Sequence, residues 1–552
     1  MIQDARSIPT GSVLEADLCI VGAGAAGITI AREFIGTKVK VILLEAGGET
    51  VDPETQALYR GENVGLHYER LDANRSRFLG GSTNCWGGWC REFDAQDFQA
   101  RPWVENSGWP FPREEMEPYY RRAHEIVQLG PYTYDTDFWQ SRIKKEGLEL
   151  MPLKPGPIVN IIDQFSPPTR FGEVYGPELK DAPNITVVLY SNVTEIESDD
   201  EARRVTGVKV ATLDGVKLQV KARQFVLSSG GLENARLLLV SNRVQKAGLG
   251  NGHDVVGRYF MDHPRIRTTR FQLHDQKKHR QLYDQSLALA RRRLNIKHLH
   301  MAAHLAPTAE AQREHKLPNS RTYIVAHYFG MMTKANDEVF EIREMLRARK
   351  KFGTTWGEIA ARIMKGAPTL LPSLPQVAYG IYDSLYNPEN DNRDFYLETI
   401  LEPTPNRDSR VTLSDARDRL GMNIVRLDWR LADIDKENFV RTHKLVRDAL
   451  EVSGVGTMKE PLEAAAERWP QDVIWCWHHM GTTRIHTDPK QGVVDANCKV
   501  HGLENLYIAG SSVYPTVSCD IPTITIVALA VRLSRTLRAA LTRTAAAQTV
   551  AA

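Results

Sequence analysis

Residues 16–45 read ADLCIVGAGAAGITIAREFIGTKVKVILLE, and the hydrophobic period changes twice within them. ADLCIV (16–21) is a short, nearly continuous apolar run, as a buried parallel strand requires. Gly22, Gly24 and Gly27 then spell GxGxxG, ITIAREFIG takes up helical spacing, and KVKVILLE returns to strand. This is a βαβ unit of about 30 residues with glycines at its first turn, the arrangement that binds a dinucleotide. Gly22 permits the tight turn, Gly24 lets a pyrophosphate approach the backbone, and Gly27 lets helix and strand close together. The helix N-terminus faces the phosphates with its partial positive charge. Glu45 ends the second strand, where its carboxylate meets the ribose hydroxyls. An acidic residue here disfavours a 2′-phosphate and so NADP; nothing in the unit separates FAD from NAD.

Working outward, a second glycine cluster, FLGGSTNCWGGWC, spans 78–90. Its Gly80, Gly81, Ser82, Gly87 and Gly88 suit a backbone lying close against a flat ring system. ITVVLYSNVTEI (185–196), TGVKVA (206–211) and KLQVKARQFVLSSGG (217–231) are strand-like, and ENARLLLVSN returns to helix. The middle, roughly 265–475, differs in texture. It holds KKHR (277–280) and RRR (291–293), expected as solvated faces, and a stretch at 343–381 that mixes basic helix with LLPSLPQVAYGI. That stretch is expected to roof the site with a basic exterior, with a membrane-touching or partner-docking insertion as the other reading. SRVTL (409–413) and IVRLDWRL (424–431) are strand-like, so this region is α+β, built round a sheet. At the C-terminal end come a strand NLYIAG, a loop with Pro515 and Pro522, a long apolar helix ITIVALAVRLSRTL, and TAAAQTVAA, which reads as a frayed tail.

Composition excludes several classes. The chain has 552 residues, 70 Lys plus Arg against 68 Asp plus Glu, and a net charge of +2, so no general field attracts nucleic acid. Six cysteines without a CxxC pair make neither a disulfide scaffold nor a zinc site, and no metal is expected. The N-terminal residues carry Asp4 and Pro9 and lack a basic and an apolar region, and no run of about 18 apolar residues occurs. A cytoplasmic protein without a transmembrane segment is expected. No G-x-S-x-G element appears.

The most specific signal lies near the C-terminus: WCWHHMGTTRI (475–485), then VVDANCKVHGLENLYIAGSSVYPT, then IPTITIVALA. With the Gly22–Glu45 fingerprint, GGST at 80–83 and GGLENARLLL at 230–239, the chain resembles the glucose–methanol–choline (GMC) oxidoreductases, FAD-dependent enzymes that oxidise alcohols. The texture is nearest to the pyranose oxidase and sugar dehydrogenase branch. The resemblance implies an α/β fold, a doubly wound Rossmann-like FAD domain plus an α+β substrate domain whose sheet roofs the flavin. It places the FAD domain at 14–264, with inserted segments at about 95–180, and again at 478–543; the substrate domain at 265–477; and a tail at 544–552.

The family's catalytic histidine stands three residues before the glycine of an H-x-x-G-T block; here that is His478, with Gly481 and Thr482 matching and His479 beside it. Asp495, Gly510 and Ser511 fall where the family wraps backbone round the flavin, Thr523 falls by its pyrimidine end, and Val193 is counted among the cofactor contacts. Two departures stand out. Pyranose oxidases carry a histidine covalently joined to flavin at the position of Asn84; Asn84 cannot form that bond, so noncovalent FAD is expected. The family usually sets His or Asn just before the final Pro-Thr, where this chain has Ile521. Asp520 or His479 is then expected to supply the missing polar contact. The implied reaction is oxidation of CH–OH to a carbonyl on a sugar, glycoside, cyclitol or similar polar alcohol, with oxygen or another acceptor as electron partner. Oxidative tailoring of a less polar natural product, or a flavin-binding protein without alcohol chemistry, are the alternatives.

Overall fold

The computed structural model describes residues 1–284, 295–296, 299–326, 354–386, 394–459 and 469–551, with isolated residues at 335–349 and residue 467. RRR (291–293) lies outside them.

The expected βαβ unit forms the centre of an eight-stranded sheet. Strand Val13–Val21 lies parallel between Val41–Leu44 and Lys217–Leu227, and Ile185–Leu189 then Ile2–Asp4 extend the sheet beyond Val41–Leu44. Val205–Ala211 and Asn192–Ser198 continue it antiparallel on the other side, and Leu506–Ile508 pairs in parallel with the end of Lys217–Leu227. The apolar runs are buried because helices cover them: Ala25–Glu33 packs against the long C-terminal helix Thr523–Ala551, which also meets Arg113–Ile126. Leu18, Ile20, Leu43, Val226, Ile524 and Val527 are fully buried. Residues 544–551 continue the C-terminal helix rather than fray, in keeping with their alanine content.

A second eight-stranded sheet, antiparallel, takes strands from far apart in sequence. Its order is Gly456–Met458, Arg265–Leu273, Phe395–Leu401, Ser320–Ala326, Leu299–Pro307, Ile158–Phe165 and Trp89–Cys90, with Asn295–Ile296 paired to Leu299–Pro307. Helix Asp433–Val452 backs it. The strands 409–431, read as part of this middle sheet, instead form a separate three-stranded sheet: Arg410–Arg417 and Asn423–Asp428 pair with Gly61–Asn63. The parallel partner lies over 350 residues away, out of reach of local periodicity.

Two readings of the middle need correction. KKHR sits in helix Gln276–Tyr283, but only Lys277 and Lys278 face solvent. Arg280 is buried, pairs with Asp284 at 2.9 Å and lies over the Phe395 ring. Of the stretch 343–381, expected to roof the site with a basic exterior, residues from Trp356 onward belong to a long helix, Trp356–Tyr386, whose outward side is apolar, while Arg347, Lys350 and Lys351 of its basic part lie outside the described residues. All six cysteines are unbridged. Among the described residues, no helix is long and apolar enough to cross a membrane.

Candidate active site

The first glycine loop is built without room to spare. Gly22 has φ +105°, and a Cβ there would lie 2.7 Å from the Ser228 carbonyl oxygen. A Cβ on Gly27 would lie 1.9 Å from the Gly22 carbonyl oxygen and 2.8 Å from Ser228 Oγ. Gly24 caps helix Ala25–Glu33 without a side-chain hydrogen bond, so the amides of the first turn stay available to an anion. The second glycine loop comes to meet the first: the Gly80 N–H donates to the Ala23 carbonyl at 2.9 Å, and a Cβ on Gly81 would lie 2.9 Å from Gly24 Cα. Beside Gly24 a Cβ would touch nothing nearer than Gly81 at 3.9 Å, and beside Gly230 and Gly510 nothing within 4 Å. These backbones therefore line a cradle that side chains would fill. The geometry fits a dinucleotide lying across both loops.

Glu45 is buried at the end of its strand, and its carboxylate accepts the Ala23 and Gly47 amides at 3.0 and 2.9 Å. Burial pushes its carboxyl up, against the pull of those amides. Asn84 is turned back into its own loop, its amide donating to the Leu79 carbonyl at 2.9 Å. Ser82 Oγ accepts the Ser76 N–H at 3.4 Å. Val193 is buried just past the turn where Asn192 accepts from Arg77. Asp495 closes a local turn by accepting the Asn497 and Lys499 amides. Thr523 opens the C-terminal helix.

The HxxGT block is zipped to the Gly510–Ser511 turn. The Gly481 N–H donates to the Ser511 carbonyl at 3.1 Å, and Ser511 Oγ donates to the His479 carbonyl at 2.8 Å. Just before it, a single carboxylate gathers the chain: Asp262 accepts the backbone N–H of Cys476, Trp477 and His478 at 3.0–3.2 Å, and the Tyr68 hydroxyl at 2.5 Å. Trp477 sits in the left-handed region at φ 63° with 39% of its surface exposed. That conformation costs a bulky L-residue about 1–2 kcal/mol. Hydrogen bonds to a charged acceptor, at about 1.5–3 kcal/mol each, offset it. Burial raises the Asp262 carboxyl to about 6 despite those donors.

His478 lies half-buried with its Nδ1 2.9 Å from Nδ1 of His263. The other nitrogen of His263, Nε2, faces the Ser518 carbonyl at 3.0 Å and the Val517 carbonyl at 3.4 Å. Burial lowers His263 to about 4, and it lowers His478 well below the usual range, helped by His263, His479 and Arg265. Both rings are neutral at neutral pH. Carbonyls only accept, so His263 carries its proton on Nε2 and presents a lone pair at Nδ1. His478 must then donate from Nδ1, which leaves the lone pair of its Nε2 for chemistry. His479 is elsewhere: it packs against Tyr68 and Phe260, and burial lowers it to about 3.

Asp520 and Ile521 lie on the wall of a cleft under the antiparallel sheet, with Trp89, Arg91, Asp163, His304 and Arg321. Asp520 is gripped by Arg321 through two bonds, Nε to Oδ1 at 3.1 Å and Nη2 to Oδ2 at 2.8 Å. It is thus a partner of Arg321 rather than an open acceptor, although burial raises it to about 6. Asp94, Asp97 and Asp520 come within metal-binding reach of one another, but Arg321 and Asn319 donate into the cluster. Beside Ile521 the cleft offers a different polar group. His304 Nδ1 is 2.8 Å from Asp163 Oδ2, and its ring stacks on Trp89 at 5.2 Å. Sequence reasoning missed Asp262, His263, Tyr68 and His304. MDHP (261–264) places an Asp-His pair before a proline, a signal that could have been noted, though nothing in the spacing ties it to His478.

Residues 405–530 match the family model described as GMC oxidoreductase. The 6'''-hydroxyparomomycin C oxidase of Streptomyces lividus is 33% identical over 150 residues, 26% of each chain. The 2-methyl-1,2-propanediol dehydrogenase of Mycolicibacterium austroafricanum is 21% identical across 95% of both chains. The chain thus spans about a quarter of the first relative's length and nearly all of the second's. Formate oxidase from Aspergillus oryzae RIB40 shares the fold, with a TM-score of 0.56 over 96% of this chain and 99% of that one at 17% identity.

Proposed function

We propose that this chain, whose residues 405–530 match the GMC oxidoreductase model, uses noncovalently held FAD to oxidise the CH–OH group of a sugar, glycoside, cyclitol or similar polar alcohol to a carbonyl. The observation that carries the reading is the neutral His478, fixed by His263 and by the Asp262-anchored loop, next to the turn that closes the glycine cradle. FAD, when bound, supplies the acceptor for the two electrons that leave the carbinol carbon with its hydrogen. The protein's part is to remove the hydroxyl proton and hold the alcohol. Nε2 of His478 takes that proton, a contribution of roughly 10²–10⁴ in rate for a positioned base. Gly22, Gly24, Gly27, Glu45, Gly80, Gly81, Gly510 and Ser511 hold the cofactor. His479 serves by packing against Tyr68 and Phe260, and Asp520 by holding Arg321. Oxygen or another acceptor takes the electrons away.

Because Asn84 is bonded to its own loop and its amide lacks the nucleophilic nitrogen that would bond to a flavin carbon, acid precipitation is expected to release all the flavin into the supernatant. Flavin fluorescence remaining on the protein band of a denaturing gel would refute noncovalent binding.

The substrate class rests on the cleft. Ile521 is apolar, but it lines the same small, largely buried cavity as the Asp163–His304 pair and Arg91, the polar groups that a hydroxyl entering there would meet. A hydroxyl buried there without a partner would cost about 1–3 kcal/mol. Anaerobic mixing with sugars and with apolar alcohols of equal size should therefore bleach the flavin faster with the sugars. Asp520→Asn, which breaks a buried ion pair, should cost about 3–5 kcal/mol of stability in a thermal melt before it touches the reduction rate. If an apolar alcohol outcompetes every sugar, the polar-alcohol reading falls and Ile521 becomes a wall selecting a less polar, tailored substrate.

A further inference from the structure

The helix Trp356–Tyr386 turns the usual pattern inside out. At 100° per residue, Trp356, Ile363, Met364, Leu371, Leu374, Tyr379 and Tyr382 fall within an arc of about 160°, and all are exposed. Met364 and Leu371 expose 71% and 65% of their surface. The opposite side faces the protein: Ile359 and Gly366 are buried, and Arg362 pairs with Glu338 and Glu341. From Gly366 to Tyr382 the chain carries no charged residue. A contiguous outward apolar face of this kind marks an interaction site.

We propose that this face seats the protein on an anionic lipid surface, the helix lying in the headgroup region without crossing the bilayer. Two observations choose lipid over another protein, and a third sets the helix at the interface rather than across the bilayer. The first is charge. The sequence immediately before the helix, REMLRARKK at 343–351, holds five cations and one acid, and Arg349 stacks over Trp356 at 4.5 Å. Arg347, Lys350 and Lys351 lie outside the described residues, so the charge is read from their order in the sequence and from the placed Arg349: basic residues leading into an apolar helix face are the combination that holds a peripheral protein to anionic lipid. The second is the placing of the aromatic residues: Trp356 stands at one end of the face, Tyr379 and Tyr382 at the other, with aliphatic side chains between. Tryptophan and tyrosine favour the depth where apolar chains meet headgroups. The third is the backbone. Pro368, Pro372 and Pro375 lie inside the helix, and each removes a bond to the carbonyl four residues earlier. Those carbonyls need water or headgroups near them, which the interface supplies and the hydrocarbon centre does not.

The seat is also joined to the active-site side of the molecule. Glu358, in the first turn of the helix, pairs with Arg70 at 3.1 Å, and Arg70 is two residues from the Tyr68 that donates to Asp262. The inference does not depend on His478 or on the choice of substrate.

The test is sedimentation of the flavin-loaded protein with vesicles of phosphatidylcholine alone and of phosphatidylcholine with phosphatidylglycerol. Pelleting with the anionic vesicles, reversed by salt, is expected. Leu371→Glu combined with Leu374→Glu should weaken it roughly tenfold or more. Both positions are exposed, so flavin content and oxidation of a water-soluble alcohol should match the native protein. If the native protein stays in the supernatant with both vesicle types, the proposal is wrong. It is equally wrong if the double variant pellets undiminished. Light scattering that finds a dimer split by the same variant, with no vesicle binding, would make the face a contact between copies and overturn it too.

Discussion

His478→Ala is expected to slow anaerobic flavin reduction by roughly 10²–10⁴, with flavin still bound, because it removes the base and leaves the cradle intact. The neighbouring His263 supplies the finer test. His263→Leu deletes the acceptor for His478 Nδ1–H, so the ring is free to move its proton to Nε2, and roughly a tenfold loss or more should follow. His263→Asn keeps an amide oxygen that can accept and an NH2 that can donate to Ser518, and it should recover much of that loss. A structural role alone would not rank the two in this order. The pH profile adds a sign. Asp262 has a folded value of about 6, above the ordinary carboxyl value, so burial favours its protonated form and the protein gains stability as pH falls through about 6. Protonation also removes an acceptor from the loop bearing Trp477 and His478. Reduction should therefore slow as pH drops below about 6, while the thermal midpoint gains Asp262's share rather than losing it. If His479→Ala costs more than His478→Ala, the register of the block has been misread.

The second large effect belongs to the cofactor cradle. Gly27→Ala would drive a methyl to 1.9 Å from the Gly22 carbonyl oxygen and 2.8 Å from Ser228 Oγ. Neither neighbour can yield cheaply: the first is backbone in the turn that should carry the pyrophosphate, and Ser228 Oγ donates to the Val21 and Gly22 carbonyls at 2.9 and 2.8 Å. Overpacking of a tight site costs about 1–3 kcal/mol, and here it also spreads the loop. The purified variant should hold less than about a tenth of the native flavin and melt earlier. Native flavin content in Gly27→Ala would remove the cradle assignment.

How far the sequence could be read depends on how local each feature is. The strand–glycine–helix–strand unit is written in about 30 consecutive residues, each doing one physical task, so it reads directly. The HxxGT block is equally compact and carries His478 with it. What brings His478 under control is not compact. Asp262 and His263 stand more than 200 residues earlier, Tyr68 earlier still, and only folding sets them against the loop. The same holds for Asp520. Along the chain it adjoins Ile521 and looks like the nearest substitute, but in space it faces Arg321, brought over by a strand of the second sheet. Periodicity found the strands at 409–431 and could not find their partner at Gly61–Asn63, because strand pairing over such a separation leaves no local trace. The helix Trp356–Tyr386 misled for another reason. Its apolar side faces outward, so a rule that sends apolar residues to the core places it on the wrong surface.

The central claim is that a neutral His478 removes a proton while the carbinol hydrogen leaves its carbon. Its most direct test is stopped-flow flavin reduction by a sugar in native enzyme without oxygen, using the same sugar protonated or deuterated at the oxidised carbon. A primary isotope effect on flavin bleaching, with the sugar recovered as its keto or aldehyde form, is the expected result. Flavin that stays oxidised through the whole series of sugars, glycosides, cyclitols and simple alcohols would contradict the claim and leave a flavin-binding protein without alcohol chemistry.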